Sequence, residues 1–139
     1  MFKVILVPIN LGDGQGRVLV TARDLASQSR ARVILLHVIH RVPDLPVNEL
    51  RGFYRRLETT SRRRLALAAQ EFAARGVPVR AEVSIGDPAQ EILRVAAAEK
   101  VDLLVMGSHR VERRRGGRGW GTTSYKVGLL CRCPVLLVK

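Results

Sequence analysis

The sequence predicts an open α/β fold, a doubly wound parallel sheet with helices on both faces. Three observations carry that expectation. Short runs rich in Val, Ile and Leu recur along the chain, separated by longer stretches with helical periodicity. Most of those runs are apolar without alternation, as strands buried on both faces of a parallel sheet are. The elements also alternate strictly, β-α-β-α-β-α-β-α-β, and right-handed crossovers fold that order into one sheet with helices on each side.

Taken in order, the strands are expected at Lys3–Pro8, Arg32–Ile39, Val77–Ser84, Asp102–Met106 and Pro134–Val138. Only Val77–Ser84 alternates, with Val77, Val79, Ala81 and Val83 set against Pro78, Arg80, Glu82 and Ser84, which suits an edge strand with one wet face. In the first helical stretch Val18, Leu19, Ala22, Leu25, Ala26 and Ser29 keep the spacing of one buried face. The second runs from Leu50 to Arg75, with Leu57, Leu65, Ala69 and Phe72 inward, Arg62–Arg64 outward and Gly76 as the stop. Asp87 and Pro88 read as N-cap and first residue of a third helix whose inner stripe is Ala89, Ile92, Leu93, Ala96 and Ala97. A short fourth helix is expected from about Thr123 to Cys131. Arg41–Asn48, with its two prolines, and the Arg- and Gly-rich segment Arg110–Gly119 read as connecting loops.

Composition narrows the function classes. The chain has 139 residues, 47% hydrophobic and 26% charged, enough for one domain over residues 1–139 with a single substantial core. Its formal net charge is +12, mostly from Arg, a field that favours anionic partners without specifying a fold. No apolar run approaches the ~18 residues of a membrane span, and the start lacks the apolar core of a secretion signal, so a cytoplasmic location is expected. Cys131 and Cys133 are too few and too close for a disulfide framework and lack C-x-x-C spacing; they read as small apolar residues at a helix end.

Open α/β sheets bind ligands beyond the carboxyl ends of their strands, where the strand order switches. The residues just past the first and fourth strands are therefore the first candidates: Pro8, Ile9 and Asn10, and Met106, Gly107 and Ser108. His109 follows directly. Gly121, Thr122, Thr123 and Ser124 open the last helix, where glycines let backbone N–H groups approach a phosphate, the helix start adds free donors and the Thr and Ser hydroxyls add more. Arginines between the two segments offer counter-charge. The bland reading of the same residues is a turn glycine, a hydroxyl cap and a solvated basic loop.

Several segments resemble the universal stress protein (UspA) family. They are Ile5–Pro8, Val33–Ile39, Gly86–Leu93, Val101–His109 and Cys133–Lys139, which together cover nearly the whole chain in order. The resemblance implies a five-stranded parallel sheet in order 3-2-1-4-5. It also implies a stress-response protein that works by binding and signalling rather than as an enzyme, and a homodimer formed through the last strand, Pro134–Val138. Part of the family binds ATP through Gly-x2-Gly-x9-Gly-(Ser/Thr). Here Gly107 matches the first glycine, Arg110 stands at the second, and Gly121 with Thr122 matches the end only if the loop is one residue longer. Val38 matches the position whose backbone meets adenine, and Asn10 stands where an Asp near the adenosine is usual. Asn keeps hydrogen-bonding capacity but loses a carboxylate that accepts two ribose hydroxyls. The resemblance thus implies ATP or ADP as ligand, with Mg²⁺ only if ATP is bound. The alternative it leaves is a dimeric interaction module without nucleotide.

Other residues carry less. His37, inside an apolar strand, reads as a hydrogen-bonded core histidine, and Trp120, the single Trp, as a packing residue. No His/Cys/Asp/Glu group has metal-ligand spacing. The basic patches at Arg62–Arg64 and Arg110–Arg118 lack interleaved aromatics, which argues against specific nucleic-acid recognition.

Overall fold

In the computed structural model, residues 1–12, 15–41, 47–108 and 123–139 are described. The elements are β1 (Val4–Pro8), α1 (Gly16–Ser29), β2 (Arg32–His40), α2 (Val47–Ala73), β3 (Val79–Gly86), α3 (Pro88–Ala98), β4 (Leu103–Gly107), α4 (Thr123–Leu130) and β5 (Val135–Val138). The five strands form one sheet in order β3-β2-β1-β4-β5, with every pairing parallel.

Strand alternation divides the apolar residues between two layers. Ile5 and Val7 of β1, Val33 and Leu35 of β2, and Leu103 and Val105 of β4 pack with Val18, Ala22 and Ala26 of α1 and with Leu65 and Phe72 of α2. Their strand neighbours Leu6, Ile34, Leu36, Leu104 and Met106 pack on the other side with Ala89, Ile92 and Val95 of α3 and Val127 of α4. This is the consequence of right-handed crossovers that run first toward β3 and then toward β5: α1 and α2 share one face, α3 and α4 the other. The central strands β1, β2 and β4 are buried on both faces, which is why they read as unbroken apolar runs. β5 does not behave like them. Leu136 and Leu137 are exposed, because β5 has only β4 beside it.

The lower edge of the sheet is closed by a carboxylate. Asp102 accepts hydrogen bonds from the Lys3 and Val4 backbone N–H groups at 2.8 and 3.0 Å, tying the start of β1 to the start of β4.

Helix ends explain most differences from the sequence expectation. The Val77 N–H donates to the Phe72 carbonyl and the Gly76 N–H to the Ala73 carbonyl, with Gly76 at φ +73°. This Schellman closure takes up Val77 as the last apolar contact of α2, so β3 begins two residues later than the alternation suggests. α2 begins at Val47, inside the stretch read as a loop. Leu57, expected inward, is exposed, and from Leu50 onward the first buried residue of the helix is Ser61. In α3 Val95 is buried along with Ala89 and Ile92, and Ala97, expected inward, is exposed. Asp87 caps α3 as expected, its carboxylate accepting from the Gln90 N–H at 3.0 Å.

α1 and α3 end in the same closure with a non-glycine residue in the left-handed region, Arg30 at φ 56° and Lys100 at φ 52°. That conformation costs an L-residue roughly 1–2 kcal/mol, partly offset by the backbone entropy glycine loses. Lys100→Gly is therefore expected to raise the unfolding free energy by about 0.5–1 kcal/mol in urea titration.

Candidate functional site

Register builds the site. Pro8 pairs with Leu36, and the Ile9 N–H donates to the Leu36 carbonyl at 2.8 Å. The last residues of β2 therefore stand level with the residues that follow β1. A cavity of about 240 Å³ opens there, at the carboxyl ends of the central strands. Pro8, Ile9 and Asn10 line it from β1, and Leu36, His37 and Val38 from β2. Met106 and Gly107 close it from β4, Pro88 and Ile92 from α3, and Thr123 and Ser124 from the first turn of α4. Gln15, just before α1, completes the wall.

Of the residues nominated from the sequence, Pro8, Ile9, Asn10, Val38, Met106, Gly107 and Thr123 meet around this one cavity. Ser108 is half-buried and does not line it; its N–H donates to the Val138 carbonyl at 2.9 Å, extending the β4–β5 pairing. His109, Arg110, Gly121 and Thr122 lie outside the described residues, as do Trp120 and the Arg- and Gly-rich segment.

Sequence reasoning missed Gln15, Leu36, His37, Pro88 and Ile92 as wall residues, while Ser124, which follows Thr123 at the helix start, does line it. His37 is hydrogen-bonded, as expected, but half-buried at the cavity rather than enclosed in the core. Its Nδ1 lies 3.0 Å from the Ile9 carbonyl. A carbonyl oxygen only accepts, so Nδ1 carries the proton and the neutral ring keeps Nε2 as an acceptor. The available signal was positional: a residue one step beyond the β1–β2 pairing is at the sheet's rim, whatever its neighbours' hydropathy.

The β1–α1 connection is held from the side. Arg64 of α2 donates to the Leu11 carbonyl at 3.0 Å, and Asn10 Oδ1 accepts from the Gly12 N–H at 3.2 Å. Among the described wall residues none is Asp, Glu, Lys or Arg. The walls offer amides, hydroxyls, an imidazole and apolar surface. The β2 and α3 side, with Leu36, Val38, Pro88 and Ile92, is the more apolar; the β4 and α4 side carries Gly107 and the Thr123 and Ser124 hydroxyls at a helix start. A flat apolar group suits the first and an anion the second. Among the described residues no group of three or more His, Cys, Asp or Glu is placed to hold a metal ion.

The two thiols sit away from the cavity, just past α4. Cys131 and Cys133 have their sulfurs 3.3 Å apart and pack against the α3/α4 layer. Partial burial, and next the hydrogen bond to Cys131, push the Cys133 thiol up to about 12 from 9.0. The folded state then holds this proton more tightly than the unfolded chain, so stability is complete below about pH 9 and declines as pH rises from 9 toward 12. Thermal unfolding is expected to fall more steeply over that range in the native sequence than in Cys133→Ala.

A model of the universal stress protein family matches residues 1–139. A universal stress protein of Thermus aquaticus is 36% identical over 143 residues, with each chain covered in full. Among solved structures, a universal stress protein in complex with cAMP superposes with a TM-score of 0.73 at 20% identity, covering 99% of this chain and 97% of that one. The universal stress protein of Archaeoglobus fulgidus in complex with dAMP does so with a TM-score of 0.71 at 17% identity, covering 99% and 98%.

Proposed function

The chain belongs to the universal stress protein family, and from that premise we propose that it is an adenine-nucleotide-binding member. It acts in the cytoplasmic stress response by binding and signalling rather than by turnover. The observation that carries this reading is the cavity of about 240 Å³ at the tips of β1, β2 and β4, with an apolar slot on one side and hydroxyls at a helix start on the other. Adenine fits the slot between the β2 and α3 residues, where the backbone beside Val38 offers hydrogen bonds to the ring edge. Phosphate fits the end formed by Gly107 and the first turn of α4, where the helix dipole favours negative charge. The same fold holds cAMP in one protein and dAMP in another. ATP or ADP would extend from that end toward the arginine-rich segment, and Mg²⁺ would enter only with ATP.

Isothermal titration of AMP, ADP and ATP tests the reading. Binding is expected for all three, weakening as salt rises because a chain of net charge +12 attracts the anion through a screened field. No heat and no thermal shift at millimolar nucleotide would overturn it.

A second part of the reading concerns assembly. β5 is a sheet edge with Leu136 and Leu137 exposed, and Leu129 and Leu130 at the end of α4 are more exposed still. An apolar edge strand left unpaired is a liability, and a second copy pairing across a two-fold axis removes it. We propose that the chain is a homodimer through β5. This also favours, as a second reading, a dimeric interaction module that works without nucleotide. Light scattering at micromolar concentration is expected to give a dimer; a monomer would count against the β5 interface.

A further inference from the structure

Asn10 follows β1, the middle strand of the sheet, and lines the cavity. Its Oδ1 accepts from the Gly12 N–H at 3.2 Å. A backbone N–H can only donate, so the amide's orientation is fixed by chemistry: oxygen toward Gly12, NH₂ on the other side. Among the described residues no hydrogen bond engages that NH₂. Asn10 thus contributes donors to the cavity, with one lone pair of its oxygen already engaged and no negative charge to hold a second hydroxyl.

Strand order decides which part of a nucleotide meets those donors. β1 lies between β2 and β4. A ligand with its base against β2 and its phosphate at β4 and α4 must carry its sugar across the tip of β1. A free ribose 2′,3′-diol brings two hydroxyl donors, which an acidic side chain accepts well, as in dinucleotide-binding sheets. The described cavity wall holds no carboxylate. A ribose whose hydroxyl is esterified by phosphate brings acceptors instead, which match the NH₂.

Resting on the nucleotide reading above, we propose that Asn10 makes the pocket favour adenine nucleotides with a phosphoesterified ribose over those with a free diol. The compact example is 3′,5′-cyclic AMP, which keeps base, sugar and phosphate within one small cavity. The diol itself then adds little affinity.

Titration calorimetry on the full chain at fixed salt tests this with AMP, 2′-deoxy-AMP and 3′,5′-cyclic AMP, in the native sequence and in Asn10→Asp. Asp keeps an acceptor for Gly12, so the turn survives the substitution. The native chain is expected to bind 2′-deoxy-AMP within about threefold of AMP, since a hydroxyl that meets only neutral acceptors gains little over its bonds to water. Asn10→Asp is expected to move both the AMP to 2′-deoxy-AMP ratio and the AMP to cyclic AMP ratio by about tenfold toward AMP, the worth of one charge-assisted hydrogen bond. Comparing ratios between the two proteins cancels the charge difference between the phosphates. If the native chain binds AMP about tenfold or more tightly than both analogues, or if Asn10→Asp leaves the ratios unchanged, the assignment to Asn10 is overturned while the nucleotide pocket stands. If none of the three binds either protein, the nucleotide reading itself fails and this inference falls with it.

Discussion

Phe72→Ala is expected to lower the free energy of unfolding by about 3–5 kcal/mol, the largest effect of any single truncation considered for this chain. Phe72 is 1% exposed and is the largest fully buried side chain among the described residues. It sits where α2 meets the bottom of the sheet, in the layer shared with Leu65, Val77, Val33 and Leu35. Removing the ring takes away its apolar burial and leaves a cavity that the surrounding strands, fixed by their ladders, cannot collapse into. The backbone closure at this point, Val77 N–H to Phe72 carbonyl, is untouched by the substitution. The loss is therefore packing rather than capping. Urea titration should show a lower midpoint with an unchanged slope. Leu57→Ala on the same helix is the control. Leu57 is 37% exposed, and its truncation is expected to cost less than about 1 kcal/mol.

Gly107→Val is expected to weaken adenine-nucleotide binding by about tenfold or more, while far-ultraviolet circular dichroism stays that of the native chain. Gly107 ends β4 on the cavity wall. A Cβ placed there would stand 3.4 Å from Val18 Cγ2 and 3.8 Å from Gln15 Nε2. The first methyl already fills the gap between β4 and the start of α1. The two further methyls of Val must go into the cavity or push α1 outward. Overpacking of this kind costs roughly 1–3 kcal/mol in stability, which a five-stranded sheet with two full apolar layers can absorb. The ligand's loss is larger in consequence, because the glycine lets a phosphate approach the backbone closely. Gly107→Ala should fall between the two.

The sheet was legible because its physics is local. Unbroken runs such as Val33–Leu36 announce a strand buried on both sides, and β-α alternation with right-handed crossovers leaves few ways to arrange the rest. Asp87-Pro88 and Gly76 were legible for the same reason: cap chemistry is written in adjacent residues. What the sequence concealed depends on tertiary placement. Leu57 has the spacing of an inward residue, yet it is exposed, and from Leu50 onward the first buried position of α2 is Ser61. Leu136 and Leu137 read like a core run by composition alone, and their edge position comes instead from the strand order that the family resemblance implies.

The site divides in the same way. Pro8, Asn10, Met106 and Gly107 follow from topology alone, since they end the strands at the switch point. His37, Ile92 and Gln15 come from register and helix placement, which no short motif encodes. Ser108 adjoins Gly107 in sequence but is drawn into pairing with Val138.

The central claim is that the cavity at the strand tips is where an adenine nucleotide sits. Backbone amide chemical shifts of ¹⁵N-labelled protein, followed during titration with AMP, test it most directly. The expected result is a saturable set of changes at Ile9, Asn10, His37, Val38, Gly107 and Ser124, with the amides of β3 and the C-terminal half of α2 unmoved. No change at millimolar AMP, or saturable changes confined to residues remote from the ends of β1, β2 and β4, would contradict the account.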